Sequence, residues 1–489
     1  GMLQSKNSHE KKLLTKKSTD SSRWYTDVIL LSDLADYGPV RGTMVIKPYG
    51  YAIWENFQKE FNKAIERLGA ENAYFPLFIP MKLLQKEKSH VKGFSPELAV
   101  VTHGGGEKLA EPLAVRPTSE TIMYEMYSKW ISSWRDLPIK INQWNNVVRW
   151  EKRTYFFLRT LEFLWQEGHT AHATYEEAEE MALAAVGEYE KIYREIFAMG
   201  GLVGVKSEAE KFAGADHTYT IELLMADGKV LQGATSHHLG DNFSKVFDIS
   251  FQDKDGKSKF VYQTSWGLST RSIGGMILVH GDDKGLVLPP KVAPIKVSII
   301  PILGKKDEEI SKYCQKVKEK IEQTVSVFPG KVELMEDPEK SYGWKVNDAE
   351  IRGVPVRVLI GTRELYDRTV TISYRLEGHE NKLVRLEDID TSVEGMLLTI
   401  QGQMYKNSEK FLKENTREAK SYDEFKSILK TKRGLIKAYW CGDPNCEAKI
   451  KGETKATARL KPLEGKNKEG KCVYCGKKAK DIWFFAQAY

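Results

Sequence analysis

Arg149 and Glu151, two apart in VVRWE (Val147–Glu151), and Thr118 and Glu120, two apart in RPTSE (Arg116–Glu120), are residue types that could do chemistry. With FLRTLEFLWQEGH (Phe157–His169) they fall within the 54 residues from Arg116 to His169. An arginine's planar fork grips phosphate and carboxylate oxygens. Nearby carboxylates accept hydrogens from an amine or an adenine amino group. Together these types suit the activation of a carboxylic acid by a nucleoside triphosphate. Such a step needs no protein nucleophile, so positioning and charge stabilisation carry the catalysis. Taken alone, Arg149 would equally be a strand arginine paired with Glu151.

A second constellation lies near the end of the chain. Cys441, Cys446, Cys472 and Cys475 read C-x4-C then C-x2-C within 35 residues. Close pairs of thiolates on turns can meet around one tetrahedral Zn²⁺, and four of them leave no open coordination position. The expectation is a structural zinc, with metal-free thiols as the competing reading. Cys314 falls in an amphipathic stretch and reads as packing. His103–Glu107 (HGGGE) lacks the strand before, the helix after and the Lys-Ser/Thr of a phosphate-binding loop, so it reads as a mobile loop beside the site.

The elements that must position these residues follow from periodicity. Ile53, Trp54, Phe57, Phe61, Ala64, Ile65 and Leu68 make one face of a helix over Tyr51–Leu68, with Gly69 as its C-cap. Ala73–Pro80 reads as an apolar strand, Ile139–Glu151 as another, and Leu161–Gln166 as its antiparallel partner. A long helix over Tyr175–Met199 precedes strand-like segments that run to Trp266. From Pro294 the pattern changes to alternating strands and helices: Val297–Ile302, Lys306–Val325, Lys331–Met335, Tyr342–Ile351, Val356–Gly361 and Thr369–Arg375. From Gln401 a helix leads into the cysteine-bearing module.

At 489 residues the chain has room for several domains, and no run of 18 apolar residues offers a membrane span. No charged-then-apolar leader opens it, which points to the cytosol. Gly1 before Met2 reads as a tag scar, and the polar start to about Ser22 reads as disordered. Net charge is +7, unevenly spread. From Gln401 to Tyr489 there are 21 Lys+Arg against 11 Asp+Glu, whereas the rest carries 53 against 56. A basic end on a near-neutral body suits a polyanion partner, although a solvated lysine-rich surface would look the same.

Further blocks extend the first constellation: VRGTMVIKPYGYAIWE (Val40–Glu55), EKFAGADHT (Glu210–Thr218), QGATSHHLGDNFSK (Gln232–Lys245), YQTSWGLSTR (Tyr262–Arg271) and HGDDKGLVLPP (His280–Pro290). In this order they give the chain a resemblance, from about Trp24 to Tyr489, to the prolyl-tRNA synthetases of the archaeal and eukaryotic type, within class II of the aminoacyl-tRNA synthetases. The resemblance implies an α+β fold with an antiparallel-sheet catalytic domain over 23–290. An α/β anticodon-binding domain would span 294–400 and a small α/β zinc-binding domain 401–489. It implies a homodimer built on the region from Tyr51 to Pro80, ATP with Mg²⁺ as co-substrate, and L-proline and tRNA(Pro) as partners.

By the same resemblance Arg149 would bridge the α-phosphate and the proline carboxylate, with Arg271 on the far side of the phosphates. Glu151 would accept from the adenine amino group, Phe163 would stack on adenine, and Arg159, Thr160, Gln232, Thr235 and Ser269 would meet the nucleotide or its Mg²⁺. Protonated proline offers two N–H donors and a compact apolar ring. Thr118 and Glu120 could supply the acceptors, and Trp165, Phe212 and His237 the wall, supported by Glu167 and His169. Trp165 and Phe212 would otherwise be core aromatics, His169 a structural histidine, and Thr118 and Ser119 helix caps. Arg149 and Arg271 are 122 positions apart, an interval too occupied by these blocks for an inserted editing domain. Glu336, Asp337, Lys345 and Arg352 would be readers of tRNA, and the C-terminal tyrosine would dock back on the catalytic body. A non-catalytic tRNA-binding paralogue would have lost Arg149, Glu151 or Arg271. A class II enzyme for threonine would want a polar or metal handle in the pocket.

Overall fold

Residues 12–323, 328, 330–465 and 467–489 are described here from a computed structural model. Strands Leu202–Val205, His217–Leu224, Val230–Gly240, Tyr262–Ser269, Glu162–His172 and Ile139–Val148 lie side by side in that order, all antiparallel. The short strand Glu71–Asn72 closes one edge in parallel with Ile139–Val148. The expected pair is present but longer on its second arm: Leu161–Gln166 is the start of Glu162–His172, which pairs along its whole length from Val148↔Glu162 to Ile139↔Ala171.

Helix Pro48–Arg67 begins with proline at its first turn, where the missing N–H costs nothing, and ends before Gly69 at φ +77°. Its buried stripe Ile53, Trp54, Phe57, Phe61, Ala64 and Ile65 covers the sheet. Trp54 and Phe57 meet the Trp144 ring edge-on at 5.8 Å, and Phe61 stacks on Tyr189 at 5.4 Å. The second long helix stops at Glu195 rather than Met199, because Ala198 turns to φ +55° and Met199 N–H donates back to Tyr193 O.

Ala73–Pro80 is a strand only over Phe78–Pro80. Upstream, Ala73 N–H and Leu77 O keep backbone partners in Asn142 O and Arg116 N–H, but at Phe75 side chains take over: its N–H donates to Gln143 Oε1 and its O accepts from Arg116 Nη1. The polar start also differs from expectation. Residues 1–11 lie outside the described residues, but from Lys12 the chain is docked: Lys12 Nζ meets Asp348 at 2.7 Å, Lys17 Nζ donates to Leu278 O and Gly281 O, and a helix runs Ser21–Leu31.

A mixed five-stranded sheet follows, in the order Lys331–Leu334, Ile295–Pro301, Val356–Ile360, Thr369–Tyr374, Lys382–Arg385. Its first two pairings are parallel and the rest antiparallel. Helix Asp307–Glu322 packs on it through Ile310, Cys314, Val317 and Ile321. The boundary expected between 400 and 401 falls inside one helix, Ile389–Glu414, whose Gln401 Nε2 donates to Glu195 O and Ile196 O.

The C-terminal segment does not stand apart. Its strands Thr416–Glu418, Leu435–Trp440, Asp481–Gln487 and Ala456–Pro462 extend the main sheet to eleven strands, the join being Lys461↔Val205 and Pro462↔Gly204. A side chain at Gly204 would collide with Lys461 O, so the join is close. Among the described residues no helix is long and apolar enough to cross a membrane.

Candidate active site

Alternation along a strand puts every second residue on one face, and opposite residues of paired strands share it. On Glu162–His172 this selects Trp165, Glu167 and His169. Three rungs then cross the sheet: Trp165 opposite Ser269; Glu167 opposite Gly267, which faces Thr235; and His169 opposite Ser265, which faces His237, itself opposite Thr218. These rungs floor a cleft of about 300 Å³. Between Ile221 and Glu222 the register slips, leaving Gly233 unpaired, and this bulge brings Gln232 to the same cleft as Thr235.

One end of the cleft is cationic. Arg149 leaves the end of strand Ile139–Val148, Arg159 comes from the connection to Glu162–His172, and Arg271 opens helix Arg271–His280. The three guanidiniums line the cleft, and among the described residues none has a carboxylate within 4.0 Å. The Arg149–Glu151 pair considered from sequence does not form. Instead Arg149 Nε donates to Pro117 O at 2.9 Å. Its guanidinium lies 5.1, 5.4 and 5.3 Å from the ring centres of Phe94, Phe163 and Trp165.

Aromatic faces hold a cation without neutralising it. Burial draws the Arg149 pKa down, with Glu97, Glu120, Glu167 and Glu151 pulling it back. Arg271 is drawn down by burial and then by Arg159 and Arg149, although guanidinium stays charged. Three partly desolvated, unpaired cations make an anion site, and the amino terminus of the helix behind Arg271 adds to it. Arg271 Nε donates to Leu158 O and its backbone N–H to Ser269 Oγ. Thr160 Oγ1 donates to Glu162 O, and Phe163 meets Trp165 edge-on at 5.7 Å. Glu151 stands at this end of the cleft with no ion pair of its own.

The other end is buried and acidic. Thr118 Oγ1 donates to Glu120 Oε2, and both residues are 2 % exposed. Ser119 heads helix Glu120–Trp130 without capping it; its hydroxyl donates to Glu167 Oε2 at 2.7 Å and its N–H to Oε1 at 3.0 Å. Asn145 Nδ2 and His169 Nε2 reach the same carboxylate at 2.8 and 2.9 Å. Burial alone would raise the Glu167 carboxyl, but the His169 contact and these donors bring it down to about 2. His169 is likewise disfavoured as a cation by burial and raised on balance by Glu167 and Glu120, so the two form a buried ion pair.

His237 stacks on Phe212 at 4.3 Å, its nitrogens held by Thr218 Oγ1 at 2.9 Å and Thr235 Oγ1 at 3.1 Å. Burial, then the charges of His169 and Arg149, push it down to about 3, so this wall is uncharged at neutral pH. Every proline- or ATP-site residue named from sequence lines this one cleft.

Others were missed. Phe94, Trp266 and Glu210 also line it. Glu97, raised by burial and by Glu151, faces Arg149 electrostatically. Phe94 and Glu97 sit in a short helical stretch whose sequence carries no spacing signal. Glu210 and Trp266 lay inside the motif blocks, and their neighbours' chemistry was the available hint.

The four C-terminal cysteines converge. Their sulfurs lie within 4.8 Å of one another, with Cys441 3.8 Å from Cys446 and 3.7 Å from Cys475. A tetrahedron of Zn–S bonds of about 2.3 Å has edges of about 3.8 Å, so the set fits a closed four-thiolate zinc. Cys314 is buried and its thiol is pushed up to about 12 by burial, as a packing residue should be.

The stretch His103–Glu107 is a tight hairpin turn with Gly105 and Gly106 at φ +63° and +81°, and it does not line the cleft. Of the tRNA-reader candidates, Glu336 takes a hydrogen bond from Ser311 and Asp337 one from Glu339 N–H. Lys345 is 2 % exposed, and Arg352 is enclosed between Asp348 and Glu333. Both side chains are turned inward, Lys345 by helix Tyr342–Ile351 and Arg352, at its C-cap, by the ion pairs that hold it. Tyr489 docks on the catalytic body: its N–H donates to Val230 O and its hydroxyl to Asp227 at 2.6 Å.

Three family profiles match successive parts of the chain: "tRNA synthetase class II core domain (G, H, P, S and T)" over residues 105–280, "Anticodon binding domain" over 296–395, and "Prolyl-tRNA synthetase, C-terminal" over 422–489. A proline–tRNA ligase of Natranaerobius thermophilus is 50% identical over 99% of this chain and 100% of its own length. One from Alkaliphilus oremlandii is 48% identical over 97% and 98%. The crystal structure of prolyl-tRNA synthetase from Cryptosporidium parvum, complexed with halofuginone and AMPPNP, superposes with a TM-score of 0.93 at 41% identity, covering 97% of this chain and 99% of that one.

Proposed function

The chain belongs to the prolyl-tRNA synthetases, a class II family, and from that premise we propose that it activates L-proline with ATP in this cleft and passes the prolyl group to tRNA(Pro). The observation that carries the reading is the cleft's polarity. Three carboxylate-free guanidiniums converge at one end, and a buried acceptor pair with an uncharged ring-shaped wall stands at the other.

Proline binds with its secondary ammonium donating to Thr118 Oγ1 and Glu120. Its ring lies against Trp165 and the Phe212–His237 stack, and its carboxylate points toward Arg149. Thr118 then turns from donor to acceptor, which a hydroxyl can do by rotation. A neutral His237 spares the incoming ammonium a repulsion. Glu167 and His169 hold Ser119 and the strand in place and do not meet the reacting atoms.

ATP binds as its Mg²⁺ complex with adenine on Phe163, its amino group on Glu151, and its phosphates among Arg149, Arg159 and Arg271. Thr160, Gln232, Thr235 and Ser269 contact the nucleotide. One proline carboxylate oxygen attacks the α-phosphorus, the bond to the α,β-bridging oxygen breaks, and pyrophosphate leaves. Arg149 offsets charge on both anions as they approach, and Arg271 the charge on the leaving side. A terminal tRNA hydroxyl then attacks the prolyl carbonyl, releasing AMP.

Residues 23–290 carry this chemistry, 294–400 bind the anticodon arm, and 401–489 hold the structural zinc on Cys441, Cys446, Cys472 and Cys475. The enzyme works as a cytoplasmic homodimer. Charging of a tRNA(Pro) transcript with labelled proline tests the whole reading: proline-specific, ATP-dependent acylation is expected, and acylation with another amino acid in preference would overturn it.

A further inference from the structure

Ser207 Oγ donates to Glu447 Oε2 at 2.5 Å across 240 residues of sequence. Both side chains are buried, Ser207 at 3 % and Glu447 at 5 % exposed, and Glu447 takes no other hydrogen bond among the described residues. Glu447 follows the zinc-type ligand Cys446 on helix Pro444–Thr454, which the cysteine cluster anchors. Ser207 stands at the start of the segment that builds the wall of the cleft. Its carbonyl accepts from Glu210 N–H at 3.1 Å and Lys211 N–H at 3.0 Å, turning the chain so that Glu210 and Phe212 face inward. Phe212 N–H then donates to Thr218 Oγ1, the hydroxyl that also holds His237. The turn is tied at its ends, by Lys206 N–H on Thr218 O and by Phe212 against His90 and Phe94, while Glu208 and Ala209 between them are exposed and Lys451 reaches Glu210 only at 3.6 Å.

A buried carboxylate with a single donor is a costly way to dock a helix, and an apolar contact would dock it as well. We propose that Glu447 is a positioning residue for proline: through Ser207 the cysteine module fixes the turn that sets the Phe212–His237 wall, so the module contributes to amino-acid affinity without touching substrate. The inference rests on the assignment of that wall to proline.

The wall reaches the nucleotide end only indirectly, through Phe94 between Phe212 and Arg149 and through Thr235 beside His237. Ser207→Ala and Glu447→Ala should raise KM for proline about three- to tenfold, a part of the worth of one hydrogen bond to a charged group because the contact acts through the turn, with kcat and KM for ATP changed far less. Glu447→Gln keeps a carbonyl acceptor for Ser207 and should restore most of the wild-type KM. The two alanine changes combined should do little more than either alone, since each removes the same contact. Proline-dependent ATP–pyrophosphate exchange measures all three constants, and zinc content assayed on each variant reports whether the module is intact.

Unchanged KM for proline in Ser207→Ala would overturn the inference, and so would a parallel rise in both KM values with a fall in kcat, the mark of general loosening. Absence of proline-dependent exchange in the unaltered protein would instead overturn the proline reading, and this inference with it.

Discussion

Replacing His169 by alanine should destabilise the catalytic body by about 3 kcal/mol at pH 6, and by less as pH rises through the raised His169 value. The magnitude follows from the surroundings. His169 is 1 % exposed, its Nε2 lies 2.9 Å from Glu167, and its Nδ1 faces Tyr124 Oη at 3.1 Å. Removing one partner of a buried pair costs about 3–5 kcal/mol when the other charge is stranded. Glu167 is not stranded, since Ser119 N–H, Ser119 Oγ and Asn145 Nδ2 remain, so the low end applies.

The pH dependence has a definite sign. The His169 pKa is raised in the folded state above its ordinary 6.5, so its charged form stabilises fully below pH 6.5 and that contribution is lost as pH rises through the raised value. Glu167 is lowered from 4.5 to about 2, so its contribution is present above 4.5 and fades only toward pH 2. Both terms are therefore whole between pH 4.5 and 6.5 and only the histidine term declines on the alkaline side. Urea unfolding followed by tryptophan fluorescence, wild type against His169→Ala at pH 6, 7.5 and 9, reads the difference. A loss of stability that does not change between pH 6 and 9 would refute the ion pair and leave a neutral imidazole in its place.

Gly168→Ala should abolish proline-dependent exchange and cost at least about 2 kcal/mol, because its Cβ would collide with the buried Trp266 ring on the strand that carries Glu167 and His169; full activity would refute the packing. Cys446→Ser should lower metal content from one zinc per chain to none by atomic absorption, and an unchanged content would remove the four-cysteine cluster as its site. Alanine lacks two of proline's ring methylenes, each worth about 1–3 kcal/mol, so alanine-dependent exchange should be detectable about 10²- to 10⁴-fold below proline in kcat/KM. The mischarged tRNA should persist, and undetectable activation would refute the argument.

Much of the site was legible because its chemistry is written in contiguous blocks: the alternation in FLWQEGH already puts Trp165, Glu167 and His169 on one face, and pairing then supplies the rest. Helices with a clean apolar stripe, such as Pro48–Arg67 and Asp307–Glu322, were equally readable. What a strand pairs with is not written in its own pattern, so the fusion of the C-terminal segment to the catalytic sheet at Lys461↔Val205 could not be foreseen. Phe94 beside Arg149 and Glu447 beside Ser207 were invisible for the same reason, since each contact is decided by tertiary approach. Lys345 and Arg352 show the converse: a charged residue reads as surface until a helix's orientation turns it inward. The docked start of the chain belongs here too, where a polar composition hid a few lysines with buried carbonyl and carboxylate partners.

Arg149 is the residue on which the account turns, a guanidinium caged by Phe94, Phe163 and Trp165 with no direct ion pair among the described residues. Proline-dependent ATP–pyrophosphate exchange, run beside threonine and alanine and beside Arg149→Ala, tests it most directly. The account predicts strong exchange with proline, little with the others, and a loss of at least about 10²-fold in the variant. Exchange by Arg149→Ala at the wild-type rate, or none with any amino acid from the folded, zinc-loaded protein, would contradict it.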